Sequence, residues 1–174
     1  MNLAELQNKI HAQNKEKGWW DNPRSFSMIT NLGVSEASES LEGNRKGLID
    51  NHLESYPMDV VEIADLCIRT LDYLGSENNN HFCDALVTKY KSGDFQYNLA
   101  ALTMKLMNAW YMYEIKSNKQ LAMDSLRGAI SHGFLMITDM GYDPIEVILE
   151  KVEYNKHRAD HKRENRAKQG GKKY

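Results

Sequence analysis

Cysteine and proline are scarce: two and three residues respectively in a chain of 174. Cys67 lies in an apolar stretch and Cys83 in a polar connection, with no framework of spacings, which excludes a disulfide-stapled scaffold and points to a reducing compartment. So few prolines leave long segments free to run as helices. No apolar run has membrane-spanning length. The opening Met-Asn-Leu-Ala-Glu-Leu-Gln sets Leu3, Leu6 and Ile10 at helical spacing among polar residues, unlike a secretion signal. A soluble, cytoplasmic protein without a membrane partner is expected. Alternating apolar and polar residues are missing too, so strands are not expected, and neither is a solenoid, since no repeat of that period occurs.

What is present suffices for one core. A hydrophobic fraction of 41% over 174 residues fits a single domain, residues 1–174. The net charge of −2 conceals an asymmetry, because residues 156–174 hold eight Lys or Arg against Asp160 and Glu164. A basic tail over about 160–174 therefore follows an acidic body. Such a tail can hold phosphate, nucleic acid or the body itself, or remain solvated.

Periodicity and punctuation predict an all-α helical bundle. The first helix covers about 3–16 and stops near Gly18. Trp19, Trp20, Asp21, Asn22 and Pro23 then form a turn. The second helix runs over about 25–46, with Gly43 and Gly47 marking its end. Ser55 as N-cap and Pro57 in the first turn start a third, which ends at Gly75 before the Ser-Glu-Asn-Asn-Asn loop. Further helices are expected over 97–115, over 119–139 closed by Gly141, and from Pro144 to about 160.

The third helix carries the chemistry. Nearly every residue from Met58 to Leu74 is apolar except Glu62, Asp65, Arg69 and Asp72, which recur at i, i+3, i+7 and i+10 on one face. A carboxylate in an interior must be neutralised, paired or bound to a cation, and one arginine cannot neutralise three acids. Glu36 and Glu39, one turn apart on the second helix, would converge with Glu62 and Asp65 if the two helices lie side by side. Four carboxylates, with no histidine at i+3 and no cysteine nearby, favour a hard cation, Mg2+ with Mn2+ as a substitute. Neither Glu36 nor Glu62 opens the Glu-x-x-His of di-iron bundles, so oxygen activation is disfavoured. Because magnesium usually shares its shell with substrate phosphates, the cluster implies phosphate hydrolysis.

The pair Glu36-Ala-Ser-Glu39 and Glu62-Ile-Ala-Asp65 resembles the E-x-x-E and E-x-x-D signature of the MazG-like, all-α nucleoside triphosphate pyrophosphohydrolases. The surroundings are similar too: Lys17-Gly-Trp-Trp-Asp21, Pro23-Arg-Ser-Phe26, the run from Ser35 to Glu42, the run from Ile63 to Asp72, and Glu153-Tyr-Asn-Lys-His-Arg158 follow that family's order of blocks. The resemblance covers about 15–75 and 140–173 and leaves about 76–139 as an inserted helical pair. It implies cleavage of a nucleoside triphosphate between the α and β phosphates to monophosphate and pyrophosphate, in a housecleaning or pool-adjusting role. By it, Glu36, Glu39, Glu62 and Asp65 are the catalytic metal ligands, and homodimers or homotetramers are expected. Asp72 would extend the metal shell or pair with Arg69. Related alternatives are a deoxyuridine triphosphatase or a (p)ppGpp hydrolase, or a non-catalytic bundle binding metal or nucleic acid, although nucleic acid is not the expected partner.

Substrate positioning requires cations and an aromatic wall. Lys151, Asn155 and Arg158 share a face of the last helix, and Asn155 with Arg158 matches the family's N-x-x-R pattern. Trp20 is expected near the base and Trp19 buried between helices. Lys172 and Lys173 are candidates to close over phosphates. Met104, Met107 and the run Trp110 to Tyr113 read as core packing or a subunit interface, Cys67 as small-residue packing, and no histidine is assigned a role.

Overall fold

The computed structural model describes residues 1–78, 90–166 and 168. Among these are seven α-helices and no strand: α1 (Leu3–Glu16), α2 (Phe26–Lys46), α3 (Met58–Ser76), α4 (Phe95–Trp110), α5 (Lys119–Asp139), α6 (Pro144–His157) and α7 (Arg163–Arg166). The chain is all-α, as its periodicity predicts. No helix among the described residues is long and apolar enough to cross a membrane.

Local chemistry sets most of the helix starts. Asn2 and Glu5 form a reciprocal capping box at α1, with bonds of 2.9 and 3.0 Å. Ser25 caps α2 by accepting from the Met28 amide, and Asp94, Asn118 and Asp143 do the same for α4, α5 and α6. α3 departs from expectation. Its N-cap is Pro57, without a side-chain bond, rather than Ser55. The chain before it is fixed instead by backbone bonds from Asp50 to Tyr56 and from Met58 to Leu48, and the Asp50 carboxylate accepts from the amides of His52 and Leu53.

Other ends shift for identifiable reasons. α3 continues through Gly75 to Ser76, because a bare glycine lets His11 of α1 lie against the helix; a Cβ there would come within 2.7 Å of the His11 Cβ. The helix expected over 97–115 begins at Phe95 and widens into a π-helical turn over Tyr111–Ile115. α6 stops at His157, because Arg158 turns extended at φ −60°, ψ 129°. His81, Cys83, Lys172 and Lys173 lie outside the described residues.

α3 is the axis of the bundle. It packs against α1, α2, α5 and α6, and Val60, Val61, Ile63, Ala64, Leu66, Cys67, Leu71 and Leu74 are fully buried. Burial pushes the Cys67 thiol up to about 12, consistent with inert packing. α4 and α5 complete this core from outside, α4 resting on α2 and α5, and α5 on α3. The aromatic run at the end of α4 divides accordingly. Tyr113 stacks on Phe26 at 4.2 Å and the Trp110 indole donates to Ser27 at 2.9 Å, whereas Met104 is exposed.

Residues 163–166 of the tail lie against the body. Arg163 donates to the Lys15 carbonyl and pairs with Asp21 at 3.1 Å, and Arg166 donates to the Lys17 carbonyl.

At the open end of the bundle α2 and α3 nearly touch. The Ser40 hydroxyl donates to the Asp59 carbonyl at 3.0 Å, and Asn44 donates to the Asp59 carboxylate at 2.8 Å. Gly43 is therefore an interior contact, while Gly47, at φ 61°, is the true helix cap. A Cβ on Gly43 would meet the Asp59 amide nitrogen at 2.9 Å, and backbone cannot step aside cheaply. Gly43→Ala should lower the unfolding free energy by about 1–3 kcal/mol, measured by urea denaturation, despite alanine's better helix propensity.

Candidate active site

α2 and α3 bring Glu36, Glu62 and Asp65 together, with one carboxylate oxygen from each within 4.8 Å of the others. Their arrangement follows from the α3 stripe: Glu62 and Asp65 are one turn apart, and Glu36 faces them across the helix pair. Glu36 and Glu62 are buried and Asp65 half-buried. Glu39 is not part of this triad. Its carboxylate is exposed, accepts from the Ser35 hydroxyl at 3.1 Å, and lies on the rim of the same cavity.

The cavity encloses about 380 Å³. α1, α2, α3 and α6, the turn after α1, the loop before α3 and the chain after α6 all contribute to its wall, and no lining residue comes from α4 or α5. The acids alternate with Arg24, Arg69, Lys151 and Arg158, so strong charge of both signs converges in a partly dry space.

Electrostatics at the triad are those of an under-compensated acid cluster. Arg69 pairs with Glu36 through Nε, and Lys151 pairs with Asp65 at 3.2 Å. Glu62 has no cation within ion-pair distance among the described residues. Burial, followed by the charges of Asp65 and Glu36, pushes its carboxyl up to about 9. Burial also raises the Glu36 carboxyl, opposed by Arg69 and reinforced by Asp65 and Glu39. A proton at Glu62 thus balances the cluster near neutral pH. Three converging carboxylates with too few cations beside them are a donor set that would suit a hard divalent cation.

Asp72 lies outside the triad and does not pair with Arg69. Its Oδ1 accepts from the Trp20 indole at 2.9 Å and is 2.8 Å from His11 Nδ1, while Arg24 donates to Oδ2 at 3.3 Å. Fully engaged, this buried carboxylate holds α1, the following turn and the start of α2 against α3. Trp20 therefore positions Asp72 and packs on the core instead of lining the cavity. Trp19, expected to be buried between helices, lines the cavity instead, with His161 edge-on at 5.3 Å and the Arg166 guanidinium 3.5 Å above its ring. In an irregular turn, adjacent residues carry no periodicity to say which one faces inward.

The expected phosphate ligands are differently disposed. Lys151 is buried between Asp65 and Asp50, the latter at 3.8 Å, and donates to His52 at 3.4 Å. Burial and the neighbouring Lys151 and Arg158 charges lower the His52 pKa, keeping that ring neutral. Arg158 lines the cavity with both arms on Asp160, at 2.9 and 2.8 Å. Asn155 faces the same space with its Oδ1 buried and unpartnered among the described residues.

His11, Arg24 and His52 were not assigned from the sequence. The spacing of Gln7, Ile10, His11 and Asn14 on one face of α1 was a usable signal for His11; none marks His52 in its loop. Comparison with protein-family models, curated proteins and solved structures gave no match.

Proposed function

We propose that the chain is a nucleoside triphosphate pyrophosphohydrolase that cleaves between the α and β phosphates, with Glu36, Glu62 and Asp65 holding Mg2+ or Mn2+. The observation that carries this reading is the convergence of an acid triad, two further carboxylates and four cations in one cavity, since a metal–polyphosphate complex presents both signs of charge at once. The order of motifs resembling the MazG-like family supports it independently. Bound there, a divalent cation would neutralise phosphate charge and acidify nearby water.

The chain's own residues account for the rest. Asn155, in the last turn of α6, and Arg158, just after it, face the cavity, where an unsatisfied amide oxygen can orient the sugar and the guanidinium, held on Asp160, adds positive charge toward phosphate. Trp19 offers a stacking face for the base, worth roughly 1–3 kcal/mol. Glu39, on the rim where water reaches it, is placed to accept a proton from the attacking water. Arg163 and Arg166 are engaged with the body, which disfavours the tail as a nucleic-acid arm.

Incubation with a panel of canonical and modified NTPs and dNTPs plus magnesium, with products resolved, tests the reaction. Monophosphate and pyrophosphate in equal amounts are expected. Diphosphate with orthophosphate, or no turnover across the panel, would reject it. Selective turnover of dUTP or of (p)ppGpp would assign the alternative specificities.

A further inference from the structure

Among the described residues, three of the four Lys and Arg side chains lining the cavity are pinned. Arg24, 8% exposed, donates to Asp72 and lies over Trp20. Arg158 closes its fork on Asp160. Lys151, 1% exposed, is enclosed by Asp65, Asp50 and His52. Arg69 differs from all of them. Its side chain is 35% exposed, it binds Glu36 through Nε alone, and its two terminal nitrogens have no hydrogen-bond partner among the described residues. It is also the cation whose whole contact lies within the acid triad.

We propose that Arg69 is a metal-gated phosphate ligand: it covers Glu36 in the metal-free protein and transfers to a polyphosphate oxygen when a divalent cation takes that carboxylate. The inference rests on the metal-dependent reading above and adds to it the residue that couples metal to substrate.

Charge counting gives the direction. The two positive charges of Arg69 and Lys151 do no more than match the ionised acids of the triad, so the empty cluster has no net positive charge with which to attract anions. A divalent cation leaves a net positive charge, which draws in phosphate. A guanidinium and a metal ion on the same carboxylate repel each other, and Arg69 has a flexible stem and open cavity in which to move. Lys151 cannot respond in this way, because leaving would strand Asp50 as a buried, uncompensated anion. Once released, Arg69 presents its planar fork, the geometry that phosphate accepts best.

The test is calorimetric and does not depend on turnover. Mn2+ is titrated into wild type, Arg69→Met and Arg69→Lys without nucleotide. An α,β-imido nucleoside triphosphate is then titrated with and without Mn2+. With the competing cation gone, Arg69→Met should bind Mn2+ about three- to tenfold more tightly. It should bind the analogue about tenfold or more weakly when Mn2+ is present, and with little change when it is absent. Arg69→Lys should resemble wild type toward Mn2+ and fall between the two toward the analogue. Arg69→Gln repeats the series if methionine disturbs the fold, as thermal melts will reveal. Weaker Mn2+ binding in Arg69→Met would mean that Arg69 merely holds Glu36 in place, and unchanged analogue affinity would remove its phosphate role; either overturns the proposal while leaving the metal site standing. Failure of wild type to bind Mn2+ would overturn both.

Discussion

Glu62→Gln should remove metal-dependent turnover while making the metal-free protein more stable at pH 8. The two effects have one cause. Folding raises the Glu62 carboxyl from 4.5 to about 9, so the native state prefers the protonated form. At pH 8 the folded chain retains a proton that the unfolded chain has released, and stability therefore falls as pH rises. The contribution is complete below the unfolded value of 4.5 and is lost as pH climbs through about 9. Glutamine keeps the shape and removes the titration. The expected gain is about 1–3 kcal/mol at pH 8 and close to zero at pH 4, read from denaturation curves at both pH values. Turnover should fall about a thousandfold or more, since an uncharged amide cannot replace a carboxylate on a hard cation. A variant that lost stability at pH 8, or kept its turnover, would sink the account of the triad.

Lys151→Met should be the most destabilising single change in the wall of the cavity. Lys151 is buried with Asp65 at 3.2 Å and Asp50 at 3.8 Å, and Asp50 is itself 2% exposed. Removing the ammonium leaves buried acid without compensation, a defect worth about 3–5 kcal/mol. Methionine preserves most of the volume, so the loss reports charge rather than a cavity. Adding Asp50→Asn should recover part of it, and a double-mutant cycle would measure the coupling. A loss below about 1 kcal/mol would show that water reaches the ammonium after all.

Helix positions were legible because their determinants are local. Asn2, Ser25, Asp94, Asn118 and Asp143 each cap the helix that follows, and the stripe from Glu62 to Asp72 declares its face through spacing alone. Glu36 and Glu39 show where spacing stops. Three residues advance a helix by about 300°, so the second carboxylate points some 60° away from the first. Here that offset carries Glu39 to the rim. The partners of Asp72 were hidden for another reason: His11, Trp20 and Arg24 reach it from 61, 52 and 48 residues away. Only the packing of α1 on α3 decides such pairs. The cavity-wall residues that lie outside the α-helices, Trp19, Arg24, His52, Arg158 and His161, sit where spacing fixes no face.

Because every described residue around the acids comes from α1, α2, α3, α6 and the segments beside them, α4 and α5 buttress the cavity without furnishing it. Their outer surface, where Met104, Leu121 and Leu135 meet solvent, is thus territory in which the chain can be relabelled, tethered or redesigned. Such alterations would change how long the molecule endures heat, and leave the walls of the acid-lined cavity untouched.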